Sequence, residues 1–155
     1  MADLAPAVDF AEACQVAGGD RFTIKHILLE EVLSIPSEHS VKATMDRLVI
    51  SLQKIDLTIY ARINRQLEAG WFDLAIRPFE VLLLDHPWTT ALLLKKDPLC
   101  ALDLPLRIIV WEDDDDRCWV AFKSLVPLFE GNEQLREHTP WRHLNTIISK
   151  AAAGE

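Results

Sequence analysis

The stretch that decides the fold runs from Cys100 to Phe122 and reads CALDLPLRIIVWEDDDDRCWVAF. It predicts the end of a helix, a corner at Pro105, a buried strand over 106–111, an acidic turn, and a returning strand over 117–122. Two apolar strands joined by a short turn form an antiparallel hairpin. The stretch therefore predicts that an antiparallel sheet runs through this part of the chain.

Helices and strands on either side extend this pattern. Ser40 is the expected N-cap of the clearest helix, residues 40–55, whose apolar side chains form one stripe. Alternation over 57–63 predicts a half-buried strand, and residues 21–35 have a less regular strand pattern that ends at Pro36-Ser37. The other predicted elements are a short helix or turn over 64–70, a buried strand over 79–84, a helix over 89–96, a helical turn over 99–104 and a last helix from about 140 to 153.

This order of elements predicts an α+β fold in the form of a two-layer sandwich. We expect one mostly antiparallel sheet of about five strands, with two or three helices on one face. Residues 1–19 are expected to be an N-terminal extension, helical or disordered, that stops at Gly18-Gly19. Residues 20–155 are expected to form a single domain, because the chain is long enough for one substantial core.

Charge and composition disfavour several kinds of partner. The formal net charge of -8 and the scattered lysines and arginines disfavour nucleic acid, which requires a basic face. No apolar run approaches the roughly 20 residues of a membrane helix, and the N-terminus lacks a secretion signal. We therefore expect a cytoplasmic protein with no membrane partner. The three cysteines are far apart, so we expect buried, reduced thiols.

Several short motifs resemble the family known as domain of unknown function 302 (DUF302). The most specific is Ala101-Leu102-Asp103-Leu104-Pro105-Leu106 with Trp111-Glu112-Asp113-Asp114 downstream. The other matching segments are Tyr60-Ala61-Arg62-Ile63, Phe79 to Leu84 with Pro87, and Asp97-Pro98. The resemblance covers roughly residues 22–150. It implies a compact α/β domain that often forms a homodimer, and it implies no particular reaction.

The chain departs from the family pattern at three places. Family members commonly carry an acidic residue and a histidine where this chain has Asn64 and Arg65. Asp85-His86 replaces the usual Gly-Asn before the proline, and Phe122-Lys123 replaces a Tyr-Asn pair. The resemblance therefore identifies a divergent member, and it puts in doubt any activity that depends on the missing histidine.

The five consecutive carboxylates from Glu112 to Asp116 allow two interpretations. Carboxylate oxygens are ligands for calcium or magnesium, but a calcium loop needs alternate ligands and a glycine, which this run lacks. A solvated hairpin tip between two apolar strands explains the run more simply, since aspartate tolerates turn geometry. We therefore predict no metal site, and no motif in the chain predicts a cofactor.

Five residues are candidates for ligand binding. His86 follows a buried strand, and Asp85 beside it could tune its pKa for acid-base chemistry, although a turn residue is the simpler interpretation. Asp103 either caps the backbone at the corner or forms a buried pair with Arg62 or Arg107. Arg62, Asn64 and Arg65 form either an anion-binding patch or ordinary solvated charges at a strand end. The candidate ligand-binding residues are thus Arg62, Asn64, Arg65, His86 and Asp103.

The sequence favours a non-enzymatic binding or interaction module, either homodimeric or docked on a partner protein. It contains no catalytic motif, and its five tryptophans exceed what one small core requires. Four aromatic residues are expected to be exposed: Trp71, Phe72, Trp88 and Trp141. The alternative is a small-ligand-binding protein or enzyme with a cleft near His86, Asp103 and Arg62, which requires these side chains to converge. A metal carrier is a third hypothesis, which elemental analysis of the purified protein tests.

Overall fold

The computed structural model describes residues 32–155, and five strands form its sheet. The strands are β1 Val32–Ser37, β2 Thr58–Asn64, β3 Phe79–Asp85, β4 Leu106–Glu112 and β5 Cys118–Lys123. The α-helices are α1 Val41–Gln53, α2 Arg65–Gly70, α3 Pro87–Lys96, α4 Glu133–Glu137 and α5 Leu144–Ala153. Three 3-10 helices complete the described chain, at Pro98–Leu102, Pro127–Phe129 and Pro140–His143.

The strand order is β1-β5-β4-β3-β2, so β1 and β2 are the outer strands of the described sheet. Strands β2 and β3, β3 and β4, and β4 and β5 pair antiparallel. The stretch quoted at the outset contains the β4–β5 hairpin, in which Ile108 lies opposite Phe122 and Glu112 opposite Cys118. The prediction of a mostly antiparallel sheet of about five strands is confirmed.

One face of the sheet carries the hydrophobic core. Leu82 and Leu84 of β3 and Ile108 of β4 are fully buried, and they belong to one cluster with Met45 of α1 and Ile148 of α5. Val81 and Ala121 are also buried, but they point to the opposite face and lie outside that cluster. The helices that contribute to the core thus lie on one face, which confirms the two-layer α+β fold.

The number of helices exceeds the two or three that were predicted. The described chain holds five α-helices, of which α2 and α4 are only six and five residues long. Segments this short lack the repeated apolar spacing that distinguishes a helix from a turn. The chain from Pro140 begins as a 3-10 helix and becomes regular only at Leu144, so the last helix has two parts.

Capping at Ser40 follows the prediction. The Ser40 hydroxyl accepts a hydrogen bond from the Ala43 amide at 3.2 Å, which satisfies one of the free N–H groups at the start of α1. The predicted apolar stripe is the buried side of this helix and contains Val41, Met45, Leu48 and Leu52.

Two predictions fall partly or wholly beyond the described residues. The extension over 1–19 lies outside them, as does most of the strand pattern over 21–35. The described part of that pattern is β1, which includes Pro36 and Ser37 rather than ending before them. No helix within residues 32–155 is both long enough and apolar enough to cross a membrane.

Candidate functional site

The five candidate residues lie at different ends of the sheet. Asn64 at the end of β2 pairs with Glu80, whereas Asp85, just before His86, pairs with Thr58 at the other end of β2. At about 3.3 Å per strand residue, Asn64 and His86 are separated by roughly 20 Å along the sheet. The strand register therefore separates these two candidates.

Arg62 is the most strongly held of the candidates. Its Nε donates to Glu80, whose side chain is only 8 % exposed, and its Nη1 donates to Asp46 of α1. The hydrogen bond to Glu80 raises the pKa of the Arg62 guanidinium, and burial opposes this effect only in part. Lys42 and Arg62 together lower the pKa of the Asp46 carboxyl. A chain of alternating charges thus connects α1 to β3 across β2.

A cleft of about 540 Å³ opens beside this chain of charges. It lies between the start of α1, the end of β2, the start of β3 and the end of β4. Its polar lining residues are Ser40, Lys42, Arg62, Asn64, Gln66, Glu80 and Glu112. The volume falls within the range typical of small-molecule sites. Two carboxylates and two cationic side chains line the cleft, so it suits a polar ligand without a large net charge.

Asn64 and Arg65 do not form an anion patch together with Arg62. The Asn64 side chain accepts a hydrogen bond from the Leu67 amide at 2.9 Å and so caps α2. The Arg65 guanidinium pairs with Glu68 at 2.8 Å on the exposed surface of the same helix. Only Arg62 and Asn64 of the three predicted residues line the cleft.

His86 is the N-cap residue of α3, directly before Pro87. Its Nδ1 lies 2.5 Å from the Thr89 hydroxyl, and its ring makes an edge contact with Trp88. Asp85 accepts hydrogen bonds from the His86 amide at 2.8 Å and from the Thr90 hydroxyl. The Asp85 carboxylate therefore stabilises the first turn of α3, and it makes no hydrogen bond to the His86 imidazole. This arrangement agrees with the interpretation of His86 as a turn residue.

Asp103 follows the first 3-10 helix and is exposed. Its carboxylate lies 3.3 Å from the Lys123 ammonium, so the alternative of a buried pair with Arg62 or Arg107 is not formed. A second cleft of about 510 Å³ lies here, lined in part by Asp103 and Cys100. Burial, with the charges of Asp97 and Asp103, raises the pKa of the Cys100 thiol and keeps it protonated.

His86, Asp103 and Arg62 thus do not converge on one cleft. Arg62 lies opposite Leu82, and Leu82 precedes His86 by four residues along the chain. Arg62 pairs with Glu80, whereas His86 contacts Thr89. The postulated shared site of these three residues is therefore not formed. The enzyme hypothesis depended on this convergence.

The acidic run forms the tip of the β4–β5 hairpin. Asp113 accepts hydrogen bonds from the Arg117 and Asp115 amides and, at 2.7 Å, from the Trp119 indole. Burial alone would raise the pKa of Asp113, but these hydrogen bonds and that of the Arg117 side chain lower it to about 2. Arg77 bridges Glu112 and Asp116 across the hairpin end. Within residues 32–155, no three His, Cys, Asp or Glu side chains are grouped for a metal ion.

Exposure of Trp71 and Phe72 agrees with the prediction, but the apolar residues around them were not predicted to be exposed. Six apolar side chains on β2 and on the connection between β2 and β3 are exposed, and we call them the apolar loop surface: Tyr60, Leu67, Trp71, Phe72, Leu74 and Ile76. Trp71 and Phe72 are 69 % and 73 % exposed. The pair of consecutive aromatic residues outside a regular element indicated an exposed apolar site in the sequence. Nothing in the sequence indicated that Leu67, Leu74 and Ile76 are exposed.

Of the other two aromatic residues predicted to be exposed, one is exposed and one is buried. Trp88 is exposed as expected, whereas Trp141 is only 3 % exposed and belongs to the hydrophobic core. The stripe of Trp141, Leu144 and Ile148 faces the sheet, which explains why this tryptophan is buried. The two described cysteines are free, with Cys118 buried and Cys100 half-buried, while Cys14 lies outside residues 32–155.

Known proteins resemble the chain in fold and in part of its sequence. A crystal structure of an uncharacterized conserved protein DUF302 from Bacillus stearothermophilus matches with a TM-score of 0.61 and 14 % identity, covering 78 % of this chain and 94 % of that one. This similarity shows the shared fold.

Curated relatives match a shorter segment. Two proteins named fluoride-specific ion channel FluC 1, from Brucella suis biovar 1 (strain 1330) and Brucella abortus biovar 1 (strain 9-941), are each 25 % identical over 90 residues. The match covers 58 % of this chain but only 35 % and 33 % of those proteins. The chain thus spans about a third of the length of these relatives.

The model of one protein family matches most of the chain. That family is described as domain of unknown function DUF302, and the match extends over residues 33–151. It contains all five strands except the first residue of β1, as well as every candidate residue discussed above. The chain therefore belongs to the DUF302 family.

Proposed function

We propose that this DUF302 protein is a non-enzymatic, homodimeric binding module. The apolar loop surface carries the proposal. Its three aromatic side chains, each with about 150–250 Å² of surface and more than half exposed, together expose on the order of 400 Å², and three aliphatic side chains add to this area. The largest apolar patch of an ordinary monomer is roughly 300–600 Å², and a standard interface buries about 800 Å² per partner. The surface therefore has the size of an interface.

The chemistry of the surface also suits protein association. Tryptophan, tyrosine and phenylalanine are the residues enriched at interfaces, because their rings bury much area at little entropic cost. Arg65 is paired with Glu68, and Arg77 is paired with Glu112 and Asp116, so neighbouring charges are largely neutralised. A neutral apolar centre with a charged rim is the usual arrangement of such a site.

The curated relatives support a modular role. The matching segment is about a third of proteins named fluoride-specific ion channels. A match confined to part of a longer protein is expected of a separable domain, and the proposed module is such a domain. If the module binds a protein other than a second copy of itself, a fluoride channel is the first partner to test. Co-purification with the full chain makes this test, and failure of the two proteins to co-elute would exclude that partner.

Substitution within the apolar loop surface tests the dimer. The full-length double variant Trp71→Ser/Phe72→Ser should lose most of the dimer in light scattering at micromolar concentration, while its circular dichroism is unchanged. The matched control is Trp88→Ser, which removes an equally exposed tryptophan on α3 and should leave the dimer intact. A dimer that survives the double variant but dissociates in the control would contradict the assignment of this surface.

A second candidate function is binding of a small polar ligand. The cleft at the start of α1 favours it, because a nearly buried carboxylate, Glu80, lines a cavity of ligand size. Mass spectrometry of small molecules released from purified full-length protein tests this function. A stoichiometric compound that is lost in Asn64→Ala, but retained in the exposed control Ser149→Ala, would support it; recovery of no compound would contradict it.

A further inference from the structure

We propose that two copies of the chain pair antiparallel through the outer edge of β2, so that the five-stranded sheets described for residues 32–155 join edge to edge. This inference rests on the proposed homodimer and specifies its geometry. Strand β2 is last in the described sheet, and β3 is its one strand neighbour among the described residues. The outward N–H and C=O groups of an edge strand are a template for another strand.

The two outer strands of the sheet differ in how they are protected. Strand β1 contains Pro36, which lacks an N–H group and blunts an edge. Strand β2 contains no proline and no lysine, and its arginine is engaged by Glu80 and Asp46. A β-bulge between Ile59 and Ala61 interrupts its first half, so regular pairing is available only beyond that point.

The apolar loop surface begins on this strand and continues along the chain that follows it. Tyr60 lies on β2 itself, and Leu67 follows three residues after the strand ends. A two-fold axis at β2 therefore brings the apolar loop surface of each copy close to the axis. Backbone pairing then fixes the orientation, while the apolar area supplies most of the free energy of association.

The symmetry of the pair fixes its register. Residues opposite each other in an antiparallel pair point to the same face, so a two-fold axis requires one residue to lie opposite its own copy. If this residue were Arg62, two like charges would be directly opposed, which is destabilising. If it is Ile63, Arg62 lies opposite Asn64, and the bulge stays outside the pair. An axis at Asn64 would set Ile63 opposite Arg65, which already belongs to α2, so we place the axis at Ile63.

A cysteine at the axis tests this arrangement in the full-length chain. Residues opposite each other have Cα atoms about 4.5–5.5 Å apart, which suits a disulfide. Ile63→Cys should oxidise to a covalent dimer for most of the protein. Ser34→Cys, exposed on β1 at the other edge, should remain uncrosslinked, as should the native chain with its own cysteines.

The outcomes separate this inference from the proposed function. If light scattering shows a dimer but Ile63→Cys forms no disulfide, or forms no more than Ser34→Cys does, edge pairing is overturned and the homodimer still stands. A monomer would overturn both. Hydrogen exchange of the native chain is an independent check. Those amides of 61–64 that point away from β3 should exchange more slowly when the protein is concentrated above its dimer dissociation constant, and unchanged exchange of these amides would also overturn the pairing.

Discussion

At the residue scale, Arg62 has the clearest physical role. It is 31 % exposed and connects a nearly buried carboxylate on β3 with a carboxylate on α1. Removing one partner of such a pair leaves the other buried and uncompensated, which costs far more than the pair itself contributes. Arg62 therefore holds the helix layer to the edge of the sheet, whatever ligand the cleft accepts.

Arg62→Leu should lower the free energy of unfolding by about 2–3 kcal/mol, because Glu80 then loses its counter-charge in a largely buried position. Urea denaturation measures this change. Arg65→Leu is the matched control, since its partner Glu68 is on the surface; it should cost less than about 0.5 kcal/mol. Equal effects of the two substitutions would show that the Glu80 pair has no special weight.

The hairpin tip should give the protein a specific acid sensitivity. The pKa of Asp113 falls from the ordinary value of 3.8 to about 2 in the folded chain. A carboxyl with a lowered folded pKa stabilises the fold above its unfolded pKa, and this contribution disappears as the pH falls through the folded pKa. Stability should thus decline between about pH 4 and pH 2 partly through this group.

Asp113→Asn removes that titration. Its unfolding free energy should vary less with pH over the same interval than that of the native chain, and the difference should be followed by chemical denaturation at each pH. Trp119 donates its indole N–H to Asp113, so its fluorescence reports the same event locally. Identical pH profiles for the two proteins would contradict the role assigned to Asp113.

At the element scale, the N-cap of α1 shows how one side chain contributes to the free energy of unfolding. Ser40→Ala should lower the free energy of unfolding by about 1 kcal/mol, because the Ala43 amide loses its acceptor. Thermal or urea unfolding checks this value. The control is Ser149→Ala, at an exposed position inside α5. It should leave the free energy of unfolding nearly unchanged or raise it slightly, since alanine has the higher helix propensity. A loss of stability equal to that of Ser40→Ala would contradict the capping role of Ser40.

Long elements were predictable because burial imposes a period on the sequence. The stripe of α1 and the apolar runs of β3 and β4 follow from one buried face, and the hairpin follows from the Asp-rich turn between two such runs. The short helices α2 and α4 were not distinguishable from turns, since five or six residues span fewer than two helical turns and cannot show a repeated apolar spacing. Trp141 was misassigned because its partners across the core are distant in sequence.

At the scale of the whole molecule, the candidate site depended on strand register, which the sequence pattern does not contain. Arg62 lies near the end of β2 and His86 directly follows the end of the adjacent strand β3, and antiparallel pairing places these two strand ends at opposite edges of the sheet. Glu80, the buried carboxylate of the cleft, looked like an ordinary strand residue. The apolar loop surface was equally hidden, because exposure of Leu67 or Leu74 depends on the path of the whole connection.

The most direct test of the homodimeric module is the mass of the native full-length chain in solution. Light scattering at micromolar concentration should give twice the monomer mass of 17.6 kDa, with partial dissociation on dilution. A mass of 17.6 kDa that stays constant as the concentration rises would contradict the central claim.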